Sequence, residues 1–259
     1  MIDLHNDLIT AENVSAEDKL RLIEKDLKDG ANVCYAIFLG GKSEEYLNGF
    51  SWAKQLQNLS IEDIGGIEDI NEILLFNPKF TTLTWNYNNK YAGGAMDDGN
   101  LTGAGYDAID FLNAHNIALD LAHLNRKSFE NAIKTGKRVL VSHTCFDKIR
   151  QHKRNLTDEQ IRAVIEKDGL IGLCLYCNFL TDKQSATIDD LVAHIDYFCS
   201  RFSFRNLAIG TDFYGMDNGV EGLSSYNDFY KIEQRLKNMG YSLEVINAIL
   251  YTNAKTFLN

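Results

Sequence analysis

Six residues, His5, Asp7, Glu62, His123, His143 and Asp212, sit at or near the ends of short apolar runs in this 259-residue chain. Imidazoles and carboxylates gathered in one place are the donors of a two-metal hydrolase site. The sharpest piece is Met1-Ile2-Asp3-Leu4-His5-Asn6-Asp7-Leu8. In an extended strand alternate side chains share a face, so His5 and Asp7 project together and can hold one divalent ion from two directions. Such a donor set can hold two zinc-like ions bridged by a carboxylate and a hydroxide, because metal binding makes water a nucleophile at neutral pH. A further carboxylate near the nucleophile can carry its proton to a leaving amine. Imidazole with carboxylate suits Zn2+ best, with Mn2+, Fe2+ and Co2+ as alternatives.

These residues need a scaffold that brings them to one rim. Apolar runs at 2–7, 33–38, 58–62, 80–84, 117–122, 138–142, 169–176 and 207–211 read as strands. Amphipathic stretches near 15–29, 43–55, 67–76, 102–115, 125–135, 157–167, 187–203, 224–238 and 242–251 read as helices. Thr157-Asp158-Glu159-Gln160 has the form of a capping box, and Gly30, Gly136 and Gly240 fall where helices should stop. Strands alternating with helices predict parallel βαβ units, and eight of them in this length predict a closed (β/α)8 barrel, with an open doubly wound sheet as the runner-up. No Gly-rich phosphate loop follows the first strand, which speaks against a nucleotide-binding sheet. No linker or repeat divides the chain, so 1–259 reads as one domain. Barrel enzymes build their sites at the C-terminal strand ends, where all six residues fall.

The net charge of −10 argues against nucleic acid and anionic lipid as partners. No apolar run approaches a membrane span and no signal peptide is visible, so a cytoplasmic protein acting on a small molecule is expected. A homo-oligomer is compatible with the sequence. The five cysteines, Cys34, Cys145, Cys174, Cys177 and Cys199, are an odd, scattered set rather than a disulfide framework. Cys174 and Cys177 read as two core thiols on opposite faces of a strand. Each site residue has an ordinary alternative as well: a hydrogen-bonded core histidine for His5, His123 or His143, a loop cap for Asp212. Asp63 and Glu68 compete with Glu62. His115, His152 and His194 read as surface or capping groups.

The ordered set of motifs resembles the membrane dipeptidase (renal dipeptidase) family of zinc peptidases, in a short, bacterial-type form, over nearly the whole chain. Asp3-Leu4-His5-Asn6-Asp7-Leu8 is similar to the family's opening Asp-Gly-His-Asn-Asp-Leu. Ser60-Ile61-Glu62-Asp63 resembles its strand-3 glutamate segment. Asp120-Leu121-Ala122-His123 resembles Asp-Leu-Ser-His, and Val141-Ser142-His143-Thr144 resembles Phe-Ser-His-Ser. Arg154-Asn155-Leu156 follows at the family's Arg-Asn. Ile209-Gly210-Thr211-Asp212-Phe213-Tyr214-Gly215 resembles Ile-Gly-Ser-Asp-Phe-Asp-Gly, and Thr252-Asn253-Ala254 echoes the closing Gly-Asn. The resemblance implies that His5 and Asp7 bind one zinc, His123 and His143 the other, and Glu62 both. It implies Asp212 as proton shuttle, Arg154 as partner of the substrate's terminal carboxylate, and Tyr176 as a substrate contact.

Two departures bear on the substrate. Leu83-Thr84-Trp85-Asn86 places Trp85 where the family has the histidine of Leu-Thr-His, and an indole cannot carry a proton as imidazole does. The stretch between Asp7 and Glu62 is also short for the family, leaving less chain to wall the site. The leading expectation is a binuclear zinc hydrolase cleaving dipeptides or similar small amides. The alternatives are a same-scaffold amidohydrolase with another substrate, and a metal- or small-molecule-binding protein without turnover.

Overall fold

A computed structural model describes residues 1–259. Eight strands, β1 (Ile2–Asn6), β2 (Asn32–Phe38), β3 (Leu59–Glu62), β4 (Phe80–Thr82), β5 (Ala118–Asp120), β6 (Val139–Thr144), β7 (Leu170–Leu173) and β8 (Leu207–Ile209), pair in chain order into a closed barrel. Every pairing is parallel, and Asp3 beside Ile209 closes the ring. Most strand residues are buried because the barrel interior covers one face and the helices cover the other. This is the expected (β/α)8 architecture, and the open sheet is excluded.

The helices are α1 (Ala16–Lys28), α2 (Glu44–Asn48), α3 (Gly103–Ala114), α4 (Arg126–Thr135), α5 (Asp158–Glu166), α6 (Cys177–Leu180), α7 (Ile188–Arg201), α8 (Tyr230–Asn238), α9 (Leu243–Asn247) and α10 (Asn253–Leu258). The Thr157–Gln160 capping box opens α5 as anticipated, and Thr187 with Asp190 does the same for α7. Phe146, just past β6, and Phe198 of α7 stack at 5.2 Å. At the barrel's N-terminal end, Ala254 and Leu258 of α10 pack against Ile2, Phe80, Leu140 and Ala208. No helix is long and apolar enough to cross a membrane.

Several expected elements are shorter, for identifiable reasons. The stretch 43–55 breaks into α2 and a 3-10 segment, and 67–76 is a 3-10 segment at Ile70–Phe76. β5 stops at Asp120 because that carboxylate accepts from the amides of Ala122 and Ser142 in place of a strand partner. β8 stops at Ile209 because Asp3 takes the Thr211 amide in the same way. The run 169–176 leaves the sheet after Leu173, and Cys177 opens α6 rather than ending a strand. Both thiols are nonetheless buried in the core. The registers of β1 against β2 and of β6 against β7 slip between Asp3 and Asn6 and between Val141 and Thr144, the segments that carry His5 and His143. Such irregularities re-aim side chains at a barrel rim.

Candidate metal centre

The strand ends bring the expected residues to one place. Glu62, the last residue of β3, is the hub. Its Oε1 lies 2.7 Å from His123 Nε2 and 3.9 Å from His143 Nε2, and its Oε2 lies 3.5 Å from His5 Nε2. Asp7 Oδ2 lies 3.2 Å from the same His5 nitrogen. The Nε2 atoms of His123 and His143 face each other at 2.7 Å. Ligand atoms of His5, Asp7 and Asp212 also lie within 4.8 Å of one another. Asp63 is held instead by the Gly65 amide and the Asn89 side chain, and Glu68 is exposed.

The neighbouring chain fixes these orientations. Asn86 Oδ1 accepts from His123 Nδ1 at 2.9 Å, which leaves Nε2 as a lone-pair donor toward the cluster. Ser142 Oγ lies 2.8 Å from His143 Nδ1. His123 and Asp212 stand at φ +67° and +64°, a region L-residues rarely adopt. Their side chains are thereby turned inward just past the strand ends. Gly215 closes the β8 loop under the carboxylates. A Cβ there would lie 2.1 Å from Asp7 Oδ2 and 2.5 Å from Asp212 Oδ1, so any side chain would displace both carboxylates.

Burial and crowding set the electrostatics of this donor set. Burial pushes Glu62 well above the usual carboxylate range. Burial, with Asp7 adding to it against the opposing pull of His5, raises Asp212 to about 7. Burial opposes charge on His5, but Asp7 and Glu62 prevail and raise it to about 10. Burial holds His123 and His143 well below the ordinary imidazole value. Asp7 Oδ1 and His5 Nδ1 are buried without a hydrogen-bond partner. A divalent cation answers the unpartnered Asp7 oxygen, the converging Nε2 lone pairs and the crowded carboxylates together, so these residues fit a metal.

The cluster floors a cavity of about 570 Å³ whose walls include Trp85, Arg154, Tyr176 and Asp212. Arg154 is buried, donates from Nη2 to the His143 carbonyl at 3.2 Å, and stands over the Phe179 ring at 5.2 Å. Its guanidinium has no carboxylate partner in the chain, which leaves it available to an anion in the cavity. Trp85 is half-buried, 6.2 Å from His123 and 5.4 Å from Phe38 between ring centroids. The Tyr176 hydroxyl accepts from Asn178 at 2.7 Å. A larger cavity, about 670 Å³, lies at the opposite end of the barrel and touches none of the metal-centre residues.

The sequence reading assigns no site role to Asn86, Ser142, Gly215 or Asp3, and takes Cys174 only as a core thiol. Asp3, Ser142 and Gly215 stood inside the motifs, but their work is through hydrogen bonds and close approach, which a linear pattern does not display. Cys174 Sγ donates to Asp212 Oδ2 at 3.6 Å. Two surface expectations need correcting. His194 is fully buried, donating from Nε2 to the Leu180 carbonyl and accepting the Phe146 amide at Nδ1. His152 is half-buried and its Nδ1 accepts the Arg154 amide. His115 caps α3 at the surface as expected.

The chain is similar to known proteins in both sequence and fold. Dipeptidase aclJ of Aspergillus oryzae is 26% identical over 173 residues, 64% of this chain and 41% of that protein. An uncharacterized dipeptidase of Schizosaccharomyces pombe, C3A11.10c, is 30% identical over 168 residues, 61% of this chain and 41% of that protein. The matched part therefore spans about two fifths of these fungal proteins' length. Among solved structures, a Rhodobacter sphaeroides metallopeptidase liganded with a phosphinate mimic of the dipeptide L-Ala-D-Ala superimposes with TM-score 0.86 at 16% identity, over 99% of this chain and 97% of that one. An amidohydrolase from Pseudomonas aeruginosa gives 0.86 at 18% identity, over 99% and 94%. At these identities the two structures speak to the fold. The family model described as membrane dipeptidase, peptidase family M19, matches residues 67–257. That match covers most of the barrel, and the chain belongs to the membrane dipeptidase family, a family of metallopeptidases.

Proposed function

We propose that the protein is a binuclear zinc dipeptidase that hydrolyses dipeptides or similar small amides. The observation that carries this reading is Glu62 standing within 3.9 Å of three imidazole Nε2 atoms beneath an open cavity. In this scheme His5 and Asp7 hold one ion, His123 and His143 the other, and Glu62 both. Zinc, when bound, polarises the scissile carbonyl and lowers the pKa of the attacking water. Arg154 orients the substrate by pairing with its terminal carboxylate, a geometry the guanidinium fork suits. Asp212 takes a proton from the water as the C–O bond forms and the carbonyl opens, then delivers it to the nitrogen as the carbonyl re-forms and the C–N bond breaks. The names of the fungal relatives and the dipeptide mimic on the Rhodobacter sphaeroides neighbour support dipeptides as the substrate class.

The test is zinc reconstitution followed by elemental analysis and assay. About two ions per chain are expected by the two-metal scheme. Free dipeptides should outcompete their C-terminal amides, because losing the carboxylate leaves Arg154 unpaired at a cost of about 2–5 kcal/mol. Stoichiometry near zero sinks the metal centre, and equal rates on acids and amides remove Arg154 from its role. Trp85, standing where the family has an imidazole, supports a second reading: the same scaffold acting on another small amide. Two bound ions with no turnover on any dipeptide would favour it.

A further inference from the structure

The cavity rim is built from the loops that follow the strands. Carboxylates come from neighbouring sectors, Asp7 and Glu12 after β1 and Asp212 and Asp217 after β8. The cation Arg154 follows β6. After β2 and β4 the wall carries Phe38, Tyr46 and Trp85, with Lys42 seated over the Tyr46 ring at 4.0 Å, and a second aromatic pair, Tyr176 and Phe179, follows β7. Phe38 ends β2 and Trp85 follows β4, and their rings pack at 5.4 Å with an interplanar angle of 59°. Gly40 holds this wall in place. It stands at φ +55°, where an L side chain is strained, and a Cβ there would lie 3.0 Å from the Phe38 ring tip and press it aside. Both rings remain half-buried, with faces left to the cavity.

We propose that the Phe38–Trp85 wall is a subsite for the side chain of the substrate's first residue, selecting dipeptides that begin with a bulky apolar or aromatic residue. This rests on the dipeptidase reading above. A free dipeptide carries an ammonium at one end and a carboxylate at the other. The carboxylate matches Arg154 on the β6 side, and the ammonium matches Glu12 and Asp217, the acids of the β1 and β8 sectors that the proposed metal and shuttle roles leave free. The scissile amide then lies over the His–Glu cluster between them. The first residue's side chain leaves the carbon that bears the ammonium, next to the β1 sector, and the adjoining sector is the one that Phe38 opens and Trp85 extends. An indole there offers an apolar face and no proton-carrying group, which suits packing rather than acid–base work. A phenyl or branched side chain gains buried area against both rings, whereas a methyl group reaches neither.

The experiment compares the zinc-reconstituted protein on Ala-Ala, Leu-Ala, Phe-Ala and Ala-Phe. Phe-Ala should exceed Ala-Ala in kcat/KM by about 10- to 100-fold, mainly through KM, as expected for filling an apolar pocket. Ala-Phe should show no such gain. Phe38→Ala and Trp85→Ala should each bring the Phe-Ala to Ala-Ala ratio toward one. A ratio near one in the native protein, a ratio unchanged in both variants, or a gain at the second position instead would overturn the subsite while hydrolysis of Ala-Ala keeps the dipeptidase reading. A binding arm separates the reverse case. The chain has two tryptophans, so Trp52→Phe leaves Trp85 as the sole indole. In that background carrying Asp212→Asn, Phe-Ala should change the Trp85 emission saturably and at lower concentration than Ala-Ala. That response without turnover in the Asp212-intact protein would keep the subsite and sink the hydrolysis; no response to Phe-Ala sinks the subsite.

Discussion

Asp3 grips Thr211 twice, accepting the backbone amide at 2.8 Å on Oδ1 and the hydroxyl at 2.6 Å on Oδ2. The same carboxylate accepts the His5 amide at 3.1 Å and the Tyr226 hydroxyl at 2.6 Å. It is fully buried and points at no metal-centre ligand atom, yet it ties the strand that delivers His5 to the loop that delivers Asp212. Asp120 does related work between β5 and β6, the strands that precede His123 and carry His143. One short acid on each side of the barrel thus substitutes for sheet pairing where the sheet must stop and the site begin.

Asp3→Asn keeps the shape but turns one acceptor into a donor facing donors. The expected loss is about 1–3 kcal/mol of stability, the usual cost of leaving such a buried group unsatisfied. Zinc affinity should also fall, although Asp3 lies outside the proposed ligand set. Urea unfolding of the metal-free protein and a competitive zinc titration read the two effects separately. Native values in both would show that the Asp3 clamp is dispensable.

Asn86 sets the His123 tautomer from outside the proposed ligand set. Asn86→Leu should remove that control and weaken the ion held by His123 and His143 about 10- to 100-fold. The ion held by His5 and Asp7 should be less affected, so stepwise zinc release to a chelator should show one early ion and one late ion. Two ions released as in the native protein would mean that Asn86 does not orient the imidazole.

Asp212→Asn separates shuttle from ligand. The amide retains the shape but cannot take a proton, so turnover should drop on the order of 10²–10⁴-fold while both ions stay. Loss of an ion in the variant would make Asp212 a ligand, a reading that its place within 4.8 Å of His5 and Asp7 keeps worth testing. Gly215→Ala should disturb Asp212 and Asp7 together, because the added methyl group collides with both carboxylates.

How much of this was legible depended on the kind of signal. His5 and Asp7 two apart on a strand, and Glu62 ending another, follow from strand periodicity once the barrel is recognised. The barrel itself was readable from alternation of buried strands and amphipathic helices. The strand ends were overrun because Asp3 and Asp120 stop pairing with side chains, which no apolar run reveals. The inward turn of His123 and Asp212 depends on positive φ at residues that are not glycine. His194, expected as a surface or capping group, is buried, and its spacing accounts for that. It lies three residues after Leu191 and four before Phe198 (194 − 191 and 198 − 194), on the buried face of α7.

That buried imidazole gives a prediction independent of metal and substrate. His194 Nδ1 accepts the Phe146 amide at 3.2 Å and Nε2 donates to the Leu180 carbonyl at 3.0 Å, so the neutral ring is satisfied at both nitrogens. Protonation would set an N–H against the Phe146 N–H, and burial already disfavours the charge. Burial, outweighing the Leu180 carbonyl and the charge of Asp190, lowers the folded-state pKa to about 4 from the ordinary 6.5. Between those values the unfolded chain binds the proton and the folded chain does not. Stability therefore falls as the pH drops from 6.5 toward 4, and below 4 the loss is complete at about 3 kcal/mol by proton linkage. His194→Gln removes the titration whatever it does to packing. Urea unfolding of the two chelator-treated proteins at pH 7 and pH 4 should show the native chain losing about 3 kcal/mol more than the variant over that interval. Equal losses would mean that the His194 proton plays no part in acid unfolding.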